Sequence, residues 1–318
     1  MYKILLVGAG QIGSRYLEGL AKLNINFELI VIEPNLDSLN TAKSRWTSAC
    51  IEGRNYNIKW SNRVQPQKYE MDLAIISTSS VERCNIVKNV SETFSPKFWI
   101  MEKLLAQSKK EIDLIIKATD KSHGAWVNIP RRLDTWHKRI ASEFNFKGPI
   151  KVIKTGGLWG MACNSIHLID LVCWWTGEKI LSIDTDKLDK NWIKSKREGY
   201  FEITGEMIAK FSNGSSLILR SNENFDYEFI KVYLRDNKEI VINENEGFLI
   251  SPNGKKSNGS LQLQSELTAP LIKKLILENN CELPTLNISA QQHSVFINSM
   301  LKHWNVSQKL ADSKVPIT

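Results

Sequence analysis

The chain has 318 residues, a formal net charge of +8 at pH 7, and 42% hydrophobic and 24% charged residues. This composition is ordinary for a globular protein large enough for two domains. No apolar run reaches the roughly 18 residues needed to span a bilayer, so we expect no membrane contact. The lysines and arginines are spread along the chain, which favours a moderately basic enzyme surface over nucleic-acid binding. The five cysteines are scattered without a CxxC pair, so we expect reduced thiols in the cytoplasm and no metal site.

The first half of the sequence alternates between apolar runs of strand length and amphipathic runs of helix length. The apolar runs end at Gly8, at Glu33, near Ser77 and at Glu102. This alternation predicts βαβ units with right-handed crossovers, and therefore an α/β fold with a Rossmann-type parallel sheet. We predict that this dinucleotide-binding domain covers residues 1–122.

The turn after the first apolar run reads GAGQIG and opens a helix. Gly8 permits a tight turn, Gly10 lets the backbone approach a pyrophosphate, and Gly13 lets the helix pack closely. The start of the helix offers N–H groups and a positive dipole to phosphates. Glu33 can accept hydrogen bonds from a ribose and would repel a 2′-phosphate, so NAD(H) is favoured over NADP(H). The predicted cofactor contacts are Gly8, Gly10, Gln11, Ile12, Gly13, Glu33, Ser77, Thr78, Glu102 and Lys103.

Two basic residues keep NADP(H) open as the alternative cofactor. Lys43 and Arg45 lie on the helix that follows Glu33. They either face a phosphate or belong to a solvated helix face, and the sequence does not decide between the two.

From Gly148 onward the pattern changes to long strands joined by turn signals. Asn213-Gly214 and Asp236-Asn237 each stand between alternating apolar runs, which is typical of β-hairpins. We therefore predict a C-terminal α+β domain, residues 123–318, with a large and mostly antiparallel sheet. Residues 251–260, SPNGKKSNGS, are expected to form a loop.

Helices complete this second domain. A helix over 164–176 is expected to end at Gly177. Two further helices are predicted near the end of the chain, and the last, about residues 289–304, is expected to pack back toward the cofactor domain.

Lys103 and a group on the 164–176 helix are the candidate catalytic residues. Lys103 follows a buried strand, where a lysine can stabilise charge that develops on a substrate oxygen; an ordinary surface lysine is the alternative. His167 lies three residues before Asp170 and four after Cys163, so the three can share a helix face. Histidine is suited to moving a hydroxyl proton, and a core histidine is the alternative.

A third group follows a short strand in the segment WVNIPRRLD. Asn128, Arg131 and Arg132 can present donors to a carboxylate, a phosphate or sugar hydroxyls. Adjacent arginines point in different directions, so only one of the two is expected to face a substrate. A solvated or ion-paired arginine pair is an equal alternative.

The order of these motifs resembles that of the Gfo/Idh/MocA oxidoreductases, NAD(P)-dependent enzymes that act on sugars, inositols and sugar nucleotides. The motifs that carry the resemblance are GAGQIG, Glu33, Glu102-Lys103 and SIHLIDLVCWWTGE, and it spans essentially the whole chain. It implies that Lys103 contacts a substrate hydroxyl and that His167 is the acid/base, with Asp170 as the acidic residue that follows. The substrate-binding residues that it implies are Arg131, Arg132, Cys163, Asn164 and His167.

The sequence departs from the family pattern at two positions. Leu104 stands where the family has the proline of Glu-Lys-Pro, a proline that often follows a cis peptide bond. Either the bond is trans and Lys103 is aimed differently, or a cis bond is kept without proline. Cys163 replaces the aspartate of Asp-x-Gly-x-His, so Asn164 would have to supply a substrate hydrogen bond without a carboxylate's charge.

We therefore predict an NAD(H)-dependent dehydrogenase or reductase of a sugar, nucleotide sugar or related cyclic polyol, with surface-polysaccharide sugar synthesis as one setting. One alternative is a non-catalytic NAD-binding sensor or scaffold. Another is a reductase of an imine or a tetrapyrrole, for which Trp159, Trp174 and Trp175 would provide stacking surfaces. The resemblance also implies a homodimer or homotetramer formed through the C-terminal sheet.

Overall fold

The computed structural model describes residues 1–63 and 70–318. Within these ranges the chain divides into two units. Unit 1 consists of Met1–Ala106, Lys110–Leu133 and Gln262–Asn287. Unit 2 consists of Gln107–Lys109, Asp134–Leu261 and Ile288–Thr318. The prediction of a single boundary between residues 122 and 123 did not include the return of the chain to unit 1 near its end. The packing of residues 289–304 toward the cofactor domain stays a prediction.

The secondary structure follows the periodicity of the sequence over most of its length. In chain order the helices are α1 (Gln11–Ala21), α2 (Leu36–Ala49), α3 (Ser80–Phe94), α4 (Lys109–Ala118), α5 (Thr135–Glu143), α6 (Met161–Thr176), α7 (Gln264–Glu278) and α8 (Leu286–Gln308). The strands are β1 (Tyr2–Val7), β2 (Phe27–Ile32), β3 (Asn57–Ser61), β4 (Met71–Ile76), β5 (Pro96–Glu102), β6 (Gly124–Asn128), β7 (Lys151–Gly156), β8 (Ile180–Leu188), β9 (Ile193–Lys194), β10 (Phe201–Glu202), β11 (Gly205–Phe211), β12 (Ser216–Ser221), β13 (Phe229–Tyr233), β14 (Glu239–Asn243), β15 (Phe248–Ile250) and β16 (Lys256–Asn258).

Unit 1 is built on a parallel sheet, as the alternation of strands and helices predicted. Its strands, as far as the chain is described, lie in the order β3-β2-β1-β4-β5-β6. The order reverses at β1, which pairs with β2 on one side and β4 on the other. In open α/β sheets this reversal is the place where ligands bind, outside the carboxyl ends of the strands. The fold therefore directs attention to the turns after β1, β2, β4 and β5.

Helix α7 completes the core of unit 1, although it lies far along the chain. Leu271, Ile272 and Leu275 belong to the same buried cluster as Leu17 of α1. Gly19 permits this packing, because a Cβ at that position would overlap the side chain of Thr268 on α7. The C-terminal segment thus covers apolar surface that α1 would otherwise expose to water.

Unit 2 contains a mostly antiparallel sheet, as predicted from the hairpin signals. Its order over the described residues is β16-β15-β14-β13-β7-β12-β11-β8, and the β7–β12 pair is parallel. Both expected hairpins are present, β11–β12 and β13–β14, with Gly214 (φ +95°) and Asn237 (φ +61°) at their turns. The predicted helix over 164–176 begins earlier, at Met161, and ends before Gly177.

The expectation of a loop over residues 251–260 was wrong for its C-terminal part. Lys256–Asn258 forms β16, which pairs antiparallel with β15. A turn at Ser251–Lys255 reverses the chain, with Gly254 at φ +80°. The Lys256 ammonium then lies 3.9 Å from the ring centroid of Phe248. The polar composition of the segment did not predict this strand, because the strand is stabilised by pairing with β15 and not by apolar residues of its own.

None of the helices in the described ranges combines the length and the apolar character needed to cross a bilayer.

The structure predicts unequal roles for two leucines of α7. Leu275 is fully buried in the unit 1 core, whereas Leu277 is 47% exposed. Leu275→Ala is expected to lower the free energy of unfolding by about 2–5 kcal/mol, because it removes buried methyl groups and leaves a cavity. Leu277→Ala should change it by less than about 0.5 kcal/mol. Urea unfolding followed by circular dichroism measures both, and equal losses would contradict the assignment of α7 to the core.

Candidate functional site

The turn between β1 and α1 is shaped by its glycines. Gly8 has φ +88°, and a Cβ there would lie 2.9 Å from Thr78 Cγ2. A Cβ on Gly13 would overlap the carbonyl oxygen of Gly8, so the helix start can approach the strand end only without a side chain. A Cβ on Gly10 would meet no described protein atom within 4 Å. Gly8 and Gly13 therefore serve the turn itself, and Gly10 keeps its outer side open.

Glu33 lies beside this turn, as its position at the end of β2 predicted. The residue is 8% exposed, and its Oε2 accepts a hydrogen bond of 2.6 Å from the Ala9 N–H. Its Oε1 accepts a second bond of 2.9 Å from the Asn35 N–H. Backbone donors from two turns thus hold an anionic group at the edge of the glycine turn.

Arg45 reaches the first turn of α1, and Lys43 does not. Arg45 Nη1 donates to Ser14 Oγ at 2.5 Å, and Nη2 donates to Gln11 Oε1 at 3.3 Å. The Lys43 ammonium lies 5.8 Å from the ring centroid of Trp60. Of the two basic residues that the sequence left undecided, one therefore adds positive charge near the start of α1.

The end of β4 closes the other side of the glycine turn. The Ser77 hydroxyl donates to the Gly8 carbonyl oxygen at 2.6 Å, and the Ser77 N–H donates to the Val7 carbonyl at 2.9 Å. Thr78 Oγ1 is buried and has no hydrogen-bond partner among the described residues. The predicted contacts Gly8, Ser77 and Thr78 are thus brought together, and one of them keeps unused hydrogen-bonding capacity.

The Lys103–Leu104 peptide bond is cis, which answers the question that the missing proline had raised. The residues on both sides of Lys103 make buried contacts. Glu102 Oε1 accepts hydrogen bonds from the Tyr16 hydroxyl at 2.9 Å and from Asn128 Nδ2 at 2.6 Å. The carbonyl oxygen of Leu104 accepts a hydrogen bond from the guanidinium of Arg83.

Sequence reasoning missed Tyr16 and Arg83, and it gave Asn128 a different role. Asn128 is 3% exposed, and its side chain amide donates to Glu102 instead of pointing to a substrate. Arg131 and Arg132 are half-buried in a short 3-10 turn, Pro130–Arg132. The pairing of β5 with β6 places Asn128 opposite Glu102, and only the strand register reveals that neighbour.

In unit 2, the candidate residues on α6 lie in two environments. Cys163, Asn164 and His167 are half-buried and form one stripe on the helix. Asp170 is 1% exposed, and its Oδ1 accepts a hydrogen bond of 3.0 Å from Gln292 Nε2 on α8. The helical spacing put all of these residues near one face, but the position of α8 decides where that face becomes buried.

A carboxylate that the sequence did not indicate lies at the N-terminus of α6. Glu202, on β10, accepts a hydrogen bond of 2.8 Å from the Ala162 N–H through Oε2. Asn164 Nδ2 donates to the Trp159 carbonyl oxygen at 2.9 Å. An acidic side chain at a helix N-terminus is favoured by the free N–H groups and the helix dipole. Glu202 thus brings a negative charge near the position where the family pattern has an aspartate.

Two of the three tryptophans proposed as stacking surfaces, Trp159 and Trp175, have protein partners. Trp175 stacks on Phe146, with 4.4 Å between ring centroids and 10° between ring planes. The Trp159 indole donates to the Arg220 carbonyl oxygen at 2.9 Å, and its ring lies 5.7 Å from the ammonium of Lys154. Lys154 is buried in the sheet and forms an ion pair with Glu228. Packing accounts for these two indole rings.

Over residues 1–63 and 70–318, no three His, Cys, Asp or Glu side chains are grouped closely enough to hold a metal ion. All five cysteines lie in these ranges, and none is disulfide-bonded.

Comparison with known proteins identifies the fold. No protein-family model and no curated protein sequence matches the chain. Among solved structures, an oxidoreductase from Agrobacterium radiobacter, in complex with NAD+, L-tartaric acid and magnesium, is 13% identical with a TM-score of 0.70, over 93% of this chain and 94% of that one. Scyllo-inositol dehydrogenase from Lactobacillus casei is 16% identical with a TM-score of 0.66, over 96% of each chain.

A Gfo/Idh/MocA family oxidoreductase from Vibrio cholerae is 16% identical with a TM-score of 0.65, over 97% of this chain and 99% of that one. At these identities the likeness establishes the fold. The chain has the fold of the Gfo/Idh/MocA oxidoreductases, and the resemblance stated from the motifs is confirmed at that level.

The geometry of the turn predicts unequal losses of stability when alanine replaces two of its glycines. Gly13→Ala is expected to lower the free energy of unfolding by about 1–3 kcal/mol, because its methyl group would overlap the Gly8 carbonyl. Gly10→Ala should lower it by less, since φ is negative at −64° and a Cβ there would meet no described atom within 4 Å. Denaturant unfolding measures both losses, and a larger loss for Gly10→Ala than for Gly13→Ala would refute this account of the turn.

Proposed function

We propose that the chain is a Gfo/Idh/MocA-type oxidoreductase that binds NAD(H) at the glycine turn and oxidises or reduces a carbinol or carbonyl carbon of a sugar-like substrate. The observation that carries the proposal is the glycine turn with a buried carboxylate beside it. Glu33 lies 2.6 Å from the Ala9 N–H, between the second strand and the start of α1. This is the arrangement that a dinucleotide-binding strand–turn–helix needs.

The residues of the turn fit a dinucleotide. The open side of Gly10 lets a pyrophosphate approach the backbone, and the first-turn N–H groups of α1 have no acceptor within the helix. Arg45 adds a positive charge near that turn through its contact with Gln11. The unused hydroxyl of Thr78 is a further donor or acceptor at its rim.

The preference for NAD(H) over NADP(H) follows from charge. A 2′-phosphate on the adenosine ribose would face the Glu33 carboxylate, and the repulsion would cost binding energy. Arg45 acts in the other direction, but its guanidinium also serves Ser14 and Gln11. Fluorescence titration with NADH and NADPH tests this preference, and tighter binding of NADPH would reject it.

The proposed chemistry divides between the cofactor and three side chains. When bound, the nicotinamide ring accepts or supplies the hydride. The Lys103 ammonium holds the substrate oxygen and stabilises the negative charge that develops on it. His167 gives or takes the hydroxyl proton, and Asp170 fixes the helix that carries His167 through its bond to Gln292.

The substrate class rests on the resemblance and on the side chains of α6. Asn164 and His167 form a half-buried polar stripe, as a polyhydroxylated ligand requires. We propose a sugar, nucleotide sugar or cyclic polyol in the cytoplasm, with Arg131 or Arg132 available for a carboxylate or phosphate. A panel that includes UDP-sugars, inositols and sugar acids tests the class, and surface-polysaccharide sugar synthesis is the narrower setting that UDP-sugar turnover would favour.

A non-catalytic NAD-binding protein is the second candidate. It is favoured by Cys163 at the position of the family aspartate and by the burial of Asp170. Tight NADH binding without turnover of any compound in the panel would select it. A tetrapyrrole reductase would be selected by pigment absorbance in the purified protein.

Replacing either proposed catalytic residue should separate binding from turnover. Lys103→Met and His167→Asn are each expected to fold, to bind NADH within about twofold of the unchanged protein, and to lose roughly 100-fold or more in kcat. Lys110→Met, at an exposed position of α4, is the matched control and should keep full activity. Full activity of both variants on the same substrate would reject the assigned roles.

We also propose that two copies associate through the sheet of unit 2. On one face a row of half-exposed aliphatic residues crosses neighbouring strands: Ile208 opposite Ile218, Ile218 opposite Ile153, and Val241 opposite Ile250. Lys231 of β13 stands between Ile153 and Val241 in this row, so the aliphatic residues form two patches. Exposed apolar patches of this kind are typical of an interface between subunits.

Light scattering tests the association. The unchanged protein is expected to have the mass of a dimer or tetramer, and Ile218→Lys should shift it toward a monomer, because a charge would be buried in the interface. Leu310→Lys, at a leucine that is 47% exposed outside the sheet, is the control and should keep the mass. A monomeric mass for the unchanged protein would disprove this proposal.

A further inference from the structure

We propose that Tyr16, Asn128 and Arg83 are positioning residues for Lys103. They hold the residues before and after the lysine, and so fix the direction in which its ammonium leaves the backbone. The inference rests on the proposed function, in which Lys103 contacts the substrate oxygen. It assigns a role to three side chains that lie outside the Glu102-Lys103 motif.

Glu102 is held by two donors on the side before Lys103. Its Oε1 accepts a hydrogen bond from the Tyr16 hydroxyl at 2.9 Å and another from Asn128 Nδ2 at 2.6 Å. The glutamate is 7% exposed, the asparagine 3% and the tyrosine fully buried. A buried carboxylate needs such partners, because removal from water is costly for a charged group. The position of Glu102 is therefore determined by α1 and β6 together.

Arg83 holds the backbone on the side after Lys103. The guanidinium is 1% exposed and donates to the carbonyl oxygens of Leu104 and Thr78. These carbonyls follow β5 and β4, so one side chain of α3 ties together two of the turns where ligands of open α/β sheets bind. An arginine suits this task because its planar fork presents several donors at once and stays charged.

The network continues beyond Glu102 into the C-terminal helix of unit 1. Asn128 Nδ2 also lies 2.7 Å from Gln264 Oε1, and Gln264 Nε2 donates to Thr268 Oγ1 at 3.2 Å. Both residues belong to α7, which packs on α1. Helix α1 and strand β6 therefore contact the residue that precedes Lys103 directly, and α7 is linked to it through Asn128.

The charges of the network keep it intact over the pH range of an assay. Burial raises the pKa of Tyr16 well above its ordinary value, the negative charge of Glu102 raises it further, and the positive charge of Arg83 acts in the opposite direction. Tyr16 therefore stays protonated and remains a donor to the carboxylate.

These contacts affect Lys103 because they hold the residues directly before and after it in the chain. Glu102 and Leu104 are its immediate neighbours, and each is bound to a different part of the core. With both neighbours held, the direction in which the lysine side chain leaves the backbone is restricted. Removing one anchor leaves the fold and the glycine turn in place but widens the range of directions open to the ammonium. Precise placement of a reacting group is worth large factors in rate.

Tyr16→Phe tests the inference, because it removes one hydroxyl from the network and keeps the buried ring. Tyr56→Phe is the matched control in the same unit, since the Tyr56 hydroxyl donates to the Ala21 carbonyl at 2.8 Å and accepts from the Ile51 N–H at 2.9 Å. Asn128→Leu is the second variant and removes the other donor to Glu102. It keeps the test open if Tyr16→Phe fails to fold.

The first readout does not depend on catalysis. Lysines are dimethylated with a ¹³C label, the Lys103 signal is assigned with Lys103→Arg, and its chemical shift and linewidth are measured by NMR. Tyr16→Phe and Asn128→Leu are each expected to move or broaden the Lys103 signal, since the ammonium then samples a wider range of directions. Tyr56→Phe should leave it unchanged, although it also removes a hydroxyl.

The second readout separates positioning from general destabilisation. Tyr16→Phe is expected to lower kcat by roughly 10-fold or more, with NADH affinity within about twofold of the unchanged protein. Tyr56→Phe should keep the kcat of the unchanged protein, even if it lowers thermal stability as much as Tyr16→Phe does. An unchanged NMR signal of Lys103 together with an unchanged kcat in both network variants would overturn the inference. If the unchanged protein turns over no substrate, the proposed function fails, and the NMR signal of Lys103 alone decides on the positioning role.

Discussion

The close approach of α1 to the end of β1 is the constraint on which the candidate cofactor site depends. Gly13 allows the first turn of the helix to lie against the carbonyl oxygen of Gly8. That approach places the helix N-terminus, with its free N–H groups, at the reversal point of the parallel sheet. The Ser77 hydroxyl and the Glu33 carboxylate then bond to Gly8 and Ala9 from the neighbouring strands. One contact between two backbone segments thus organises three strand ends.

Two buried charges, Glu102 and Lys154, are held by partners from distant parts of the chain. Glu102 has Tyr16 and Asn128, and in unit 2 Lys154 has Glu228. A charge taken out of water is tolerated only with such partners, so the fold must bring them together before the site exists. On our proposal, the residues around the Glu102-Lys103 motif, and not the motif alone, therefore determine the direction of the Lys103 side chain.

Helix α6 illustrates how tertiary packing divides a face that local sequence treats as one. Periodicity predicts that Cys163, His167 and Asp170 lie on neighbouring positions, and they do. Helix α8 contacts this face at Asp170, whose carboxylate accepts a hydrogen bond from Gln292. His167 stays half-buried, and Glu202 arrives at the N-terminus from β10. The acidic residue nearest the start of this helix therefore comes from a different part of the chain than the family pattern implies.

Features that depend on local backbone preference and periodicity were predictable from the sequence. These are the parallel sheet, the glycine turn with Glu33, the hairpin at Asn213-Gly214 and the end of α6 at Gly177. The return of α7 to unit 1, the edge strand β16, and the partners of Glu102 and Asp170 became apparent only in the folded chain. Those features depend on contacts between residues far apart in the chain, and neither propensity nor spacing along a single segment encodes which distant side chain completes them.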